Sequence, residues 1–240
     1  MMLLPLFIVQ RRLHFETQAV LLLLTRRIDI STAAFSILFF PGVLLHELSH
    51  FIAARLLGVR TQGFSVFPST KPDGRLQLGY VETAQTDFMR DAMIGAAPLV
   101  TGGLFVTFAG LRMLSLGVVL ERIGTFDPLM VISGLIDLSR QPDFWIWFYL
   151  IIAVSATMMP SRADRRAWPS LLFFILVVVL FAVLAGAGPW LQQNFVPVVV
   201  RGFHAAAFVF AISLLLQLAI LLPLWGMRLL ISRVTRLRVV

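Results

Sequence analysis

The sequence predicts an all-α polytopic membrane protein with about five to six transmembrane helices and a small cytoplasmic β-hairpin insertion. Three observations carry that expectation. Hydrophobic residues fill 59% of the 240 positions and charged ones only 13%, with a mean hydropathy of +0.90, a balance outside the range of water-soluble domains. Apolar runs recur at 30–57, 92–118, 144–160, 168–187 and 203–225, and most reach the roughly 20 residues a helix needs to cross the hydrocarbon. The polar stretch FSVFPSTKPDGRLQLGYVET, residues 64–83, places two strand-like runs around Lys71-Pro72-Asp73-Gly74, a turn signal that predicts the hairpin.

Taken in order, residues 1–29 are the least regular. MMLLPLFIV and AVLLLL are each too short to span and are separated by Arg11, Arg12, His14 and Glu16, so the segment reads as an interfacial or partly inserted amphipathic helix. It has neither the basic start nor the small-residue cleavage site of a signal peptide. Residues 30–167 then hold three apolar runs and the hairpin, and residues 168–240 read as two further membrane helices with a basic tail.

Basic residues set the expected orientation. Arg55, Arg60, Lys71, Arg75 and Arg90 follow the first long run, Arg162, Arg165 and Arg166 lie at 160–167, and Arg228, Arg233, Arg236 and Arg238 end the chain. These regions should face the cytoplasm. The 119–143 connection is rich in acids (Glu121, Asp127, Asp137, Asp143) and should face outward. Arg26 and Arg27, before the first run, oppose the pattern. The net charge of +8 is dispersed beside apolar spans and is not gathered into a stripe with aromatics, which argues for topology and against nucleic acid. The chain has no cysteine, so disulfides and thiolate metal sites are excluded, and any metal must be held by His and carboxylate groups.

The chemistry concentrates in PGVLLHELSHFIAARLLG, residues 41–58. On a helix His46 and His50 are i and i+4, so both imidazoles leave one face and can share a metal, while Glu47 lies about 100° around. Two neutral imidazoles suit Zn2+, and the carboxylate between them can accept a proton from metal-bound water or return one to a leaving amine. Each ionisable residue placed in hydrocarbon costs about 2.5–3.5 kcal/mol on insertion scales, so three together call for a compensating partner such as zinc. If the helix ends near Gly58 on the cytoplasmic side, the histidines sit roughly 12–18 Å inward. Pro41 and Gly42, one turn earlier, are expected to kink the helix and ease water's path to the site.

A catalytic zinc of this kind needs a third protein ligand. The acids at 121–143 fall on the opposite side, whereas Asp164, in MMPSRADRRAWP, follows the third apolar run on the same side as the motif. Two readings of Asp164 stand level: the third ligand, or a cap and surface charge for the helix beginning near Trp168-Pro169 or for Arg162, Arg165 or Arg166. His14 and His204 are isolated at span edges and are assigned to no metal. No G-x-S-x-G, phosphate loop or Ser-Lys pair competes.

His46-Glu47-Leu48-Ser49-His50, continued by Ala53-Ala54-Arg55-Leu56-Leu57-Gly58-Val59, then by Leu78-Gly79-Tyr80-Val81 and by GAAPLVTG at 95–102, resembles the site-2 protease family of intramembrane zinc metalloproteases. The likeness covers about residues 30–167. It implies a zinc held by His46, His50 and Asp164, with Glu47 as the general base and acid that activates zinc-bound water against a peptide bond of a transmembrane protein or peptide. It also implies a location in a bacterial-type plasma membrane with the active site toward the cytoplasm. The family's third-ligand motif carries an Asn-Pro pair and Leu-Asp-Gly, whereas Met159-Pro160-Ser161-Arg162-Ala163-Asp164-Arg165 has neither the Asn nor the Gly. The alternative is a non-proteolytic zinc-binding membrane protein, a scaffold or sensor that keeps the metal site.

Overall fold

The computed structural model describes residues 3–70, 76–117 and 127–237. Helix α1 (Leu3–Thr25) is followed by α2 (Ile28–Leu56), four short strands, β1 (Thr61–Ser65), β2 (Ser69–Thr70), β3 (Leu76–Gln77) and β4 (Tyr80–Thr83), and α3, which starts at Phe88 and widens into a π-type turn at Ala109–Met113. Then come α4 (Pro128–Ser139), α5 (Phe144–Ser155), α6 (Trp168–Ala182) and α7 (Val196–Thr235). Three helical stretches are long and apolar enough to cross a membrane: Ile28–Leu56, Phe88–Met113 and Trp168–Thr235. That is compatible with an integral membrane protein. The last stretch changes direction at Gly186, whose φ of +85° breaks the helical geometry at a residue that pays little for the left-handed region.

α1 is one continuous helix of 23 residues, and Leu6, Leu13, Glu16, Val20 and Leu23 are buried along one face, at the three- and four-residue steps that align side chains on a helix. That face packs on α7 and α2. The charges that split the apolar pattern are absorbed internally: the fully buried Glu16 carboxylate pairs with Arg228 of α7 and, at 2.8 Å, with Arg12. Arg228→Met should therefore lower thermal stability in detergent by somewhat less than the roughly 3–5 kcal/mol of a fully orphaned buried charge, because Arg12 remains. Adding Glu16→Gln should restore most of the melting temperature, and an unchanged melting temperature in the single variant would show that the pair carries no weight.

α5 is also shorter than expected. Its 12 residues end at Ser155, where the 144–160 run was read as one span, and the chain turns through Thr157 and Met158 before Pro160. Met158 seats against Gly102 of α3, where a methyl group would come within 2.5 Å of its Cβ. The acidic 119–143 connection contains α4, which the sequence reading took as loop; Asp127 caps it by accepting from the Leu129 amide at 2.9 Å, with Pro128 in the first turn, a standard helix start. Glu121 lies outside the described residues.

The hairpin is present as an antiparallel pairing of β1 with β4, Phe64 opposite Val81 and Ser65 opposite Tyr80, extended by β2 against β3. The turn Lys71-Pro72-Asp73-Gly74 lies outside the described residues. Pro41 sits within α2, which runs unbroken past it. Gly42 has a different use from the loosening expected of it: a Cβ there would meet the Ala153 carbonyl at 2.1 Å and Thr157 Oγ1 at 2.3 Å, so its missing side chain lets α5 close on α2. The core forms where these helices meet, with Val106, Leu114, Ile151, Met158 and Ile212 in one cluster and Leu13, Phe35, Phe39, Val43 and Ile152 in another.

Candidate metal centre

Helical spacing alone brings the two histidines together. On α2 the ring centroids of His46 and His50 are 4.8 Å apart and their Nε2 atoms 3.2 Å apart. Asp164 enters from the loop between α5 and α6, its carboxylate 3.4 Å from His50 Nε2 and 3.9 Å from His46 Nε2. These three groups can offer one donor atom each within 4.8 Å of one another. Tetrahedral zinc with bonds of 2.0–2.2 Å sets its ligand atoms roughly 3.4 Å apart. The Nε2 pair at 3.2 Å and Asp164 Oδ1 at 3.4 Å from His50 are close to that, while the 3.9 Å approach to His46 is made by the other carboxylate oxygen, Oδ2.

The second nitrogens test the fit independently. His50 Nδ1 lies 2.9 Å from the Ile94 carbonyl of α3; a carbonyl only accepts, so Nδ1 carries the proton and Nε2 presents its lone pair toward Asp164 and His46. That is the outer-shell arrangement of metal-bound imidazoles. His46 Nδ1 is buried without a closed hydrogen bond, facing the Thr157 carbonyl at the end of α5. A cation between the two Nε2 atoms and the carboxylate reconciles lone pairs that would otherwise oppose each other. The donor set, two imidazoles and one carboxylate, fits zinc.

The loop's shape places Asp164. Ser161 donates its amide to the Asp164 carboxylate at 2.6 Å, and the Asp164 amide returns a bond to Ser161 Oγ at 3.3 Å. Burial pushes the carboxyl up, but with no ion between them a protonated His50, together with the Ser161 donors, outweighs it and holds Asp164 down at about 2. It is ionised across the physiological range. Ala167 stands at the start of α6 and no side chain caps there; Arg166 pairs with Asp91 and also feels the Asp164 charge, and Arg165 donates to the Ser161 carbonyl.

Two contacts dock this loop on α3, and the residue-by-residue reading did not anticipate them. Arg166 makes a two-pronged pair with Asp91, Nε at 2.8 Å and Nη2 at 2.9 Å. Arg166 is 62% exposed, so the pair is worth at most about 1 kcal/mol and its contribution is geometric. Gly95 is the closer constraint: a Cβ there would lie 1.9 Å from the Asp164 carbonyl oxygen. Asp87 fixes the start of α3 by accepting from the Met89 and Arg90 amides, which sets the register of Asp91, Ile94 and Gly95.

Glu47 is buried on the neighbouring face of α2. Gly79, just before β4, lies against it, and a side chain there would come within 2.8 Å of Glu47 Cγ. The three candidate ligands, Glu47 and the residues of β4 line one cavity of about 600 Å3. No protein-family model matches this chain, and neither a curated protein nor a solved structure is similar to it. The case for a metal therefore stands on the donor geometry. Elsewhere, His14 is partly buried and meets Phe35 and Phe39 edge-on, and His204 is exposed.

Proposed function

We propose that this protein is an intramembrane zinc metalloprotease that hydrolyses peptide bonds of transmembrane substrates. The observation that carries the reading is the convergence of His46, His50 and Asp164 beside Glu47, within a helix otherwise apolar enough to cross a membrane. His46, His50 and Asp164 would hold the ion. When bound, zinc supplies Lewis-acid polarisation of a carbonyl and a water acidic enough to react near neutral pH. Glu47, on the same helix and open to the cavity, would serve as general base toward the attacking water and as general acid toward the departing amine nitrogen. The His50 link to Ile94 keeps its imidazole oriented.

Two further features support a membrane-embedded, extended substrate. β4 is bonded to β1 on one edge, and its residues line the cavity beside Glu47, so its other edge can receive an unwound segment by strand addition. Next to it runs an apolar groove of about 210 Å3, formed by Ser36, Phe40 and Val43 of α2 with Phe67 and Leu78. Positions 36, 40, 43 and 47 follow one stripe of the helix, so the groove leads to Glu47. Arg166 lines the cavity, and Arg55, Arg60, Arg90, Arg162 and Arg165 belong to the same basic segments, which supports a site opening toward the cytoplasm.

The second reading, a zinc-binding scaffold or sensor without proteolysis, is favoured by the loop 159–165, which lacks Asn and Gly. One experiment separates the two. Glu47→Gln should retain zinc, measured by elemental analysis of purified protein, and abolish cleavage of a co-expressed single-span substrate followed by mass spectrometry. Undiminished cleavage in that variant overturns the assigned role of Glu47, and zinc without cleavage in the wild type selects the scaffold.

A further inference from the structure

Helices α1 and α7 supply no candidate ligand, yet they carry polar side chains that mere closure of the bundle gives no reason for. Gln10 of α1 donates through Nε2 to the Ala156 carbonyl, and His14, one turn on, lies toward the same carbonyl with its Nε2 buried and without a closed hydrogen bond. From α7, Gln217 donates to Ser155 Oγ at 3.3 Å, and Ser155 Oγ donates to the Ile152 carbonyl at 3.2 Å. Gln217, Ser155 and Ala156 are fully buried. Gln10 Oε1 and Gln217 Oε1 are buried without a protein partner, so apolar residues there would pack without that cost. Polar groups at such depth are retained for what they hold.

What they hold is the carbonyl end of α5, where the last peptide groups of a helix lack intrahelical partners. The residues that follow run straight into the metal centre. The Thr157 carbonyl stands behind the His46 ring, Thr157 Oγ1 donates to the Ala153 carbonyl at 2.9 Å, Met158 seats on Gly102, and the loop continues to Asp164. Fixing Ser155 and Ala156 from behind thus fixes both the carbonyl facing one ligand and the origin of the loop that delivers another.

We infer that Gln10, His14 and Gln217 are positioning residues for the metal centre, bracing the carbonyl end of α5 so that Thr157 and the Asp164 loop keep their places against α2. The inference rests on the proposed metal reading, and its test has an arm that does not need the metal. Because the chain has no cysteine, spin labels can be placed singly on the full-length protein in nanodiscs, with Met93→Cys and Arg162→Cys reporting the loop against α3, and Arg60→Cys with Met93→Cys as a pair away from it. Gln217→Met combined with His14→Phe should broaden the 93–162 distance distribution and leave the 60–93 distribution unchanged. The same variant should bind zinc about 10-fold more weakly in chelator competition, the lower end of what outer-shell losses cost, and His14→Gln, which keeps a donor, should bind nearly as the wild type does. Unchanged 93–162 distances, or equal broadening of both pairs, overturns the bracing role. If the wild type binds no zinc but the double variant shows the selective broadening, the brace stands and the metal reading alone is removed. Should the double variant fail to fold, Gln10→Met alone must still broaden the 93–162 pair, and a distribution like the wild type's rejects the proposal.

Discussion

His50→Ala is expected to empty the centre of zinc, from about one ion per chain to background in elemental analysis. The substitution removes a candidate ligand and, with it, the bond to the Ile94 carbonyl that orients the ring. Asp164→Asn should act in the same direction, because a neutral amide is a poorer ligand than a carboxylate already held in its ionised form. Its loss of affinity should exceed the roughly 10- to 100-fold that an outer-shell partner costs. The pH dependence separates the ligands. Asp164 stays ionised down to about 2, whereas an ordinary imidazole gains its proton near 6.5. Zinc should therefore be held while both imidazoles are neutral and be lost as acid protonates them. Full loading of His50→Ala, or loading in Asp164→Asn equal to the wild type, would mean that the ligands lie elsewhere.

Gly95→Ala is expected to have a comparable effect with no ligand changed. The new methyl would sit 1.9 Å from a backbone oxygen of Asp164, and since a backbone atom cannot rotate aside, the loop has to retreat by more than an ångström. Overpacking of this kind costs about 1–3 kcal/mol in stability. A ligand set that must be held within about 0.5 Å should then lose most of its zinc affinity. The pair of measurements is the melting temperature of the apo-protein and chelator competition for zinc. A variant that melts 1–3 kcal/mol lower but binds zinc as tightly as the wild type would show that the loop adapts and that Gly95 matters only for packing.

These two positions differ in how far they could be read from the chain. His46, Glu47 and His50 are legible because their geometry is local: four residues of helix place two imidazoles on one face whatever the rest of the chain does. Asp164 is level between ligand and cap on its own residues, since its meeting with α2 depends on α5 ending at Ser155, on Gly95 and on Asp91, which no spacing encodes. The family-like stretch GAAPLVTG pointed to Gly95 as a letter; only the contact with the Asp164 carbonyl gives it a physical task. The continuity of α1 is hidden for a related reason. Arg12 and Glu16 break the apolar pattern in one dimension, and the partner that neutralises Glu16, Arg228, lies more than two hundred residues away. The early end of α5 escaped the hydropathy pattern because residues 156–160 are nearly as apolar as the helix they follow.

The way the candidate ligands are divided between α2 and the loop has a thermodynamic consequence. His50 and Asp164 are more than a hundred residues apart in the chain, so an ion shared by them acts as a reversible cross-link that closes a very long loop, the kind that most restricts an unfolded ensemble. Folding and ion uptake are then one linked equilibrium. At free zinc a thousand times the dissociation constant, the folded form gains about 4.1 kcal/mol, a large part of what holds an ordinary domain together.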